Sequence, residues 1–166
     1  LEPEVSVVIV EPGQRLPRDA DHLQIPGSKS TIGDLAFLRE QGWDADLMSH
    51  VERGKQVLGI CGGYQMLGRT IMDPDGIEGP AGQVQGLGLL NVSTLMTQNK
   101  RLASVVGSDI GSGSGVSGYE IHIGETSGPD CGRPWLEIDG REEGATSADG
   151  LVRGCYVHGL FIADEF

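Results

Sequence analysis

Two apolar patterns alternate along the chain as far as Thr70. Val5-Ser6-Val7-Val8-Ile9-Val10 is almost continuous β-branched sequence, which predicts a strand buried on both faces of a parallel sheet and ended by Glu11-Pro12-Gly13. A shorter run, His22-Leu23-Gln24-Ile25, stops at Pro26-Gly27. Thr31 followed by Asp34 reads as a helix N-cap with a carboxylate in the first turn. The helix it opens carries Leu35, Ala36, Phe37 and Leu38 and ends near Gly42. Ala45 to Arg53, with Leu47, Met48 and Val51, predicts a second helix closed by Gly54. Val57-Leu58-Gly59-Ile60 is another buried-strand run, leading through Cys61-Gly62-Gly63 into Tyr64-Gln65-Met66-Leu67, which has helical composition. This order predicts an α/β domain with a parallel sheet.

Beyond about Asp73 the pattern changes. Leu87 to Thr94, Tyr119 to Glu125, Trp135 to Ile138 and Leu151 to Val157 are strand-like pieces joined by glycine-rich turns. Asp139-Gly140 predicts a tight turn, and Gly111-Ser112-Gly113-Ser114-Gly115 a flexible loop. There is no internal repeat and no linker that would divide the chain.

Composition narrows the class. The 166 residues fit one domain, and 27 of them are glycine, more than twice the usual share of about 7%. Such an excess implies tight turns and close backbone approaches, and the lack of a three-residue period excludes collagen. Twelve basic against 24 acidic side chains give a net charge of −12, which argues against a nucleic-acid surface. No stretch approaches the roughly 18 apolar residues of a membrane span, and no basic-then-apolar leader opens the chain, so a soluble, cytoplasmic protein is expected. Leu1 is not an initiator methionine, and Ala163-Asp164-Glu165-Phe166 carries no stop signal, as in a piece of a longer polypeptide. Cys61, Cys131 and Cys155 lack CxxC spacing and suggest neither a disulfide framework nor a zinc site, so no metal is expected.

The chemistry concentrates at Gly59-Ile60-Cys61-Gly62-Gly63, a strand-to-helix junction that is the thiol counterpart of the G-x-S-x-G nucleophile elbow. Small residues two before and two after the nucleophile let the turn close. The elbow lifts the sulfur above the sheet edge at a helix N-terminus, where the dipole and free N–H groups are expected to lower the thiol pKa. The Gly62 N–H points where an oxyanion would form. The competing reading of Cys61 as an ordinary core cysteine is the better one for Cys131 and Cys155.

A thiol nucleophile needs a base. His22 and His50 lie in plain element contexts. His158 ends the apolar run Cys155-Tyr156-Val157, at the strand edge where parallel sheets place ligands, and is the first candidate; His122 is the second. Pro26-Gly27-Ser28-Lys29-Ser30 is not a Walker A loop, because Ser28 separates glycine from lysine and position 22 is His22. Gly111 to Gly118 is no dinucleotide fingerprint either.

Four segments together resemble the CobB/CobQ type of class I glutamine amidotransferase. Gly59 to Gly68 is similar to its nucleophile segment, Ile25 to Thr31 to the loop opposite the cysteine, Ser117 to Gly124 to a second strand signature, and Tyr156 to Phe161 to its histidine segment. The resemblance implies a flavodoxin-like fold with a mainly parallel sheet flanked by helices. It implies hydrolysis of glutamine to glutamate and ammonia by Cys61 and His158. Gly27, Ser28 and Gly62 would hold the oxyanion, and Gln65 would stand at the glutamine-binding position. The ammonia would pass to a preceding synthetase domain that uses ATP and Mg to amidate corrinoid carboxylates in cobalamin biosynthesis; no cofactor is implied for this domain itself. The family domain also opens with one more strand and continues past the histidine segment, so this piece alone is expected to have little glutaminase activity. Other class I amidotransferases carry an orienting glutamate two residues after the histidine, where this chain has Leu160. The third member of the set is therefore open, with Glu120 one candidate. A glutaminase subunit of a lipid II isoglutaminyl synthase, a cysteine peptidase or deglycase, and a non-catalytic interaction domain on the same fold are the alternatives.

Overall fold

The computed structural model describes residues 4–98 and 101–162. In chain order they form β1 (His22–Ile25), α1 (Thr31–Glu40), α2 (Trp43–Glu52), β2 (Gln56–Ile60), α3 (Gly62–Leu67), β3 (Thr70–Asp73), β4 (Gly82–Gln85), β5 (Ser93–Leu95), β6 (Arg101–Asp109), β7 (Gly115–His122), β8 (Glu125–Ser127), β9 (Leu136–Ile138), β10 (Arg141–Glu143), β11 (Ala145–Thr146), β12 (Val152–Cys155) and β13 (Val157–His158). No helix among them is long and apolar enough to cross a membrane.

The expected parallel sheet is present. β2 lies between β1 and β12 and runs parallel to both, and β11 closes the far side antiparallel. Val57, Leu58 and Ile60 of β2 are all buried, as a strand covered on both faces must be. α1 packs on α2 and α3, and both α2 and α3 pack on β2. Leu35, Leu47, Leu67, Ile71, Leu90 and Leu136 are buried within the core they share.

The later half of the chain builds two further sheets that sequence pattern alone does not separate. One is wholly antiparallel, in the order β10-β9-β6-β7-β13, and the other is mixed, in the order β4-β3-β5-β8. Asp139-Gly140 makes the predicted two-residue turn of the β9–β10 hairpin, with φ of 49° and 75° as a type I′ turn requires.

Two expectations are corrected. Val5 to Val10 forms no ladder with the described strands, and Val5, Val7, Val8 and Ile9 are exposed, Ile9 to 81%. β-branched residues favour extended backbone, but a strand exists only where a partner offers its hydrogen bonds. Thr31 is not the cap of α1: Ser30 holds that position without a side-chain bond. The orphan N–H of Ile32 is satisfied instead by the Glu78 carboxylate at 3.1 Å, while the Thr31 hydroxyl donates into the interior.

Candidate active site

β1, β2 and β12 end at the same edge of the parallel sheet, which brings three separate segments together. After Ile25 comes the Gly27–Ser28 loop, after Ile60 comes Cys61, and after Cys155 the chain bends through Tyr156 into β13 and His158. Cys61 has φ of 52° and ψ of −111°, a left-handed conformation that costs a non-glycine residue on the order of 1–3 kcal/mol. The packing that enforces it is visible in the glycines. A Cβ at Gly59 would lie 2.7 Å from the Gly63 carbonyl, and one at Gly63 would run into the Ile25 carbonyl. The elbow closes only because both positions lack a side chain.

Gly27 joins the candidate nucleophile to the candidate base. A Cβ there would stand 2.9 Å from Cε1 of His158 and 3.5 Å from Cβ of Cys61, so both side chains border the same small space. A Cβ at Gly62 would fall 2.9 Å from the Ser28 backbone nitrogen, which puts the two candidate oxyanion donors side by side. The Ser28 hydroxyl itself is used in shaping the loop, donating to Asp34 at 2.5 Å and accepting from the Ser30 N–H at 2.9 Å.

The electrostatics differ from expectation at the thiol. Burial pushes the Cys61 pKa up, and the Gly62 N–H opposes that without reversing it. α3 is a six-residue helix, so its dipole is too short to hold a thiolate against desolvation. The thiol donates instead to the Ile121 carbonyl at 3.4 Å. Burial pushes His158 down, and the Ile121 carbonyl acts in the opposite direction. His158 Nε2 is buried and has no well-aligned hydrogen-bond partner among the described residues.

Gln65 is 2% exposed, and its amide is engaged within the fold. Nε2 donates to the Ile123 carbonyl at 2.9 Å and to the Tyr156 hydroxyl at 3.1 Å, while Oε1 accepts from the Thr31 hydroxyl at 3.1 Å. Glu120 turns away from His158 to pair with Arg101 and Arg141. Burial alone would raise its pKa, but the hydrogen bonds from the two arginines outweigh that and hold it low. It is no orienting group for the imidazole. His122 stacks on Tyr156 with ring centroids 3.7 Å apart, and its Nδ1 lies 3.2 Å from the Gly124 carbonyl. His50 is buried beside the Gln56 carbonyl, away from the elbow. Cys131 and Cys155 are free thiols: Cys131 lies beside Tyr64, while Cys155, whose carbonyl accepts the Cys61 N–H at 2.8 Å, turns its buried sulfur to the Val157 carbonyl. Sequence reasoning missed the Ile121 carbonyl, a backbone atom with no residue-type signal, and the pairing of Tyr119 with His158.

Two solved structures share this fold. A structure described as a crystal structure of glutamine amidotransferase superposes with a TM-score of 0.55 at 20% identity, covering 83% of this chain and 70% of that one. The structure of PurLQS from Thermotoga maritima superposes with a TM-score of 0.61, also at 20% identity, covering 90% of this chain and 73% of that one. The class is therefore the α/β fold of the glutamine amidotransferases. Within it, the chain belongs to the CobB/CobQ-like glutamine amidotransferase domain family, whose model matches residues 1–166. It is 60% identical over 165 residues to a cobyric acid synthase of Cereibacter sphaeroides and 62% identical over 165 residues to one of Rhodobacter capsulatus. Each of these matches takes in 99% of this chain and 34% of the relative. A cobyric acid synthase of Bradyrhizobium diazoefficiens is 56% identical over 166 residues, all of this chain and 34% of its own length. The chain thus spans about a third of the relatives it matches.

Proposed function

We propose that this chain is the glutaminase part of a cobyric acid synthase, releasing ammonia from glutamine for the amidation of corrinoid carboxylates. The observation that carries the mechanism is the convergence of Cys61, His158 and Gly27 around one small space at the edge of the parallel sheet.

The thiol and imidazole both start neutral. As glutamine binds, Nε2 of His158 takes the Cys61 proton while the sulfur forms a bond to the side-chain amide carbon. The carbonyl oxygen becomes an oxyanion between the N–H groups of Gly62 and Ser28. The imidazolium returns its proton to the amide nitrogen, the C–N bond breaks, and ammonia leaves a γ-glutamyl thioester. His158 then draws a proton from water as it attacks the thioester, and returns that proton to the Cys61 sulfur as the C–S bond breaks and glutamate leaves. In this scheme Gln65 stands at the glutamine-binding position: its two N–H groups are given to the Ile123 carbonyl and the Tyr156 hydroxyl, and Oε1, which accepts from Thr31, keeps a second lone pair for glutamine.

The identity to the named synthases supports the corrinoid acceptor over a cell-wall precursor. The remaining two thirds of such a polypeptide would hold the ATP- and Mg-dependent synthetase domain that receives the ammonia, in the cytoplasm where ATP is available. The test is Cys61→Ala in the full-length protein. Glutamine-dependent amidation should vanish while ammonia-dependent amidation persists, and loss of both would make Cys61 structural.

A further inference from the structure

The imidazole of a catalytic histidine must be held in one orientation, and the acidic candidate Glu120 is committed instead to Arg101 and Arg141. We propose that β7 supplies that restraint, with the Tyr119 ring as the positioning group for His158. The inference rests on the reading of His158 as the base of a glutaminase.

The register of β7 makes the assignment. β13 pairs antiparallel with it so that His158 stands opposite Tyr119 and Val157 opposite Glu120. Side chains alternate along a strand, so positions 119 and 121 share one face while 120 faces the other. Glu120 accordingly enters the interior to meet Arg101 and Arg141, and Tyr119 is left against the histidine. The two rings lie 5.1 Å apart between centroids with planes only 5° apart, an offset stack that fixes the plane of the imidazole. The Ile121 carbonyl, on the same stretch of β7, takes the Cys61 thiol bond at 3.4 Å. Gly118 completes the arrangement, because any side chain there would strike the His158 carbonyl and push β13 off β7. The run Gly118-Tyr119-Glu120-Ile121 therefore has one task per position: close approach, ring stack, interior anchor and acceptor for the Cys61 thiol.

Tyr119 is 45% exposed, so its ring can be removed without opening the core. In the full-length protein, Tyr119→Leu should lower kcat for glutamate release by about 10- to 100-fold, the cost of a misplaced base, with KM for glutamine within about threefold of wild type. Tyr119→Phe, which keeps the ring, should restore kcat. A Tyr119→Leu variant with wild-type kcat, or a Tyr119→Phe variant as slow as Tyr119→Leu, would overturn the inference alone. A wild-type protein that releases no glutamate, or a Cys61→Ala variant that still does, would overturn the underlying reading and this inference with it.

Discussion

Gln65 donates from Nε2 to the hydroxyl of Tyr156 over 3.1 Å, and this bond ties the elbow helix to the bend that leads into His158. Tyr156 is held on every side. Its hydroxyl also meets Thr126 at 2.5 Å, its N–H donates to Glu143 at 2.9 Å, and its ring packs flat on His122 and edge-on against Tyr64. The residue sits where the chain leaves the parallel sheet for the antiparallel one, so its own N–H has no ladder partner and takes a side chain instead.

Removing only that hydroxyl tests the tie. Tyr156→Phe keeps both ring contacts but leaves a buried Gln65 N–H and the Thr126 hydroxyl short of a partner. An unsatisfied buried polar group costs about 1–3 kcal/mol, so equilibrium unfolding in urea should show a loss of that size. Unchanged stability would mean that the elbow and the histidine bend are held together by other contacts.

Glu143 makes stability depend on pH. Burial raises its pKa to about 7, hydrogen bonds from Tyr156 and Gly144 and the Arg141 charge only partly oppose this, and its Oε2 has no partner among the described residues. The folded state therefore holds a proton that the unfolded chain has released above its ordinary value of 4.5. The stabilisation is complete below that value and is lost as pH rises toward 7, about 3 kcal/mol in all. Glu143→Gln, which cannot ionise, should gain on wild type across this window and hold a constant advantage above it. Urea unfolding at pH 5 and pH 8 measures the difference, and an equal gap at both values would refute the assignment.

The state of the nucleophile is open to a similar check. Burial pushes the Cys61 thiol up and the His158 imidazole down, so near pH 7 the pair should rest neutral rather than as thiolate and imidazolium. Alkylation of Cys61 by iodoacetamide without glutamine should then be slower at pH 7 than that of a free cysteine, and should still be climbing about tenfold per pH unit at pH 9, the ordinary thiol value, where a free cysteine begins to level off. A fast, pH-independent reaction between pH 6 and 8 would reveal a preformed thiolate.

The space shared by the thiol and the imidazole depends on Gly27. An alanine methyl there would meet His158 Cε1 at 2.9 Å, closer than carbon atoms pack. Gly27→Ala should displace the ring, lowering kcat for glutaminase by roughly 10- to 100-fold while the melting temperature stays near wild type. Full activity in this variant would show that the loop and the imidazole are further apart in solution.

Much of the core and the candidate pair could be read from residue types. Val57 to Ile60 is apolar because β2 is covered on both faces, and Gly59 and Gly63 report the clash that an elbow must avoid. The Asp139-Gly140 turn is legible for a comparable local reason. What could not be read is long-range. The carboxylate that caps α1 comes from Glu78, 46 residues beyond the N–H it accepts from. The stack of Tyr119 on His158 depends on the register of two strands far apart in sequence, and the Ile121 acceptor is a backbone atom common to every residue. Val5 to Val10 shows the converse limit, since its composition specifies extended backbone without specifying a partner.

The central claim is that Cys61 is the group that bonds to glutamine, and covalent labelling of the full-length protein with a diazo-ketone analogue of glutamine tests it most directly. Intact-mass and peptide analysis should find one adduct per chain, on the peptide containing Cys61, in step with loss of glutamine-dependent but not ammonia-dependent amidation. The Cys61→Ala variant should take up none. An adduct on Cys131 or Cys155, or complete inactivation with Cys61 unmodified, would contradict the account.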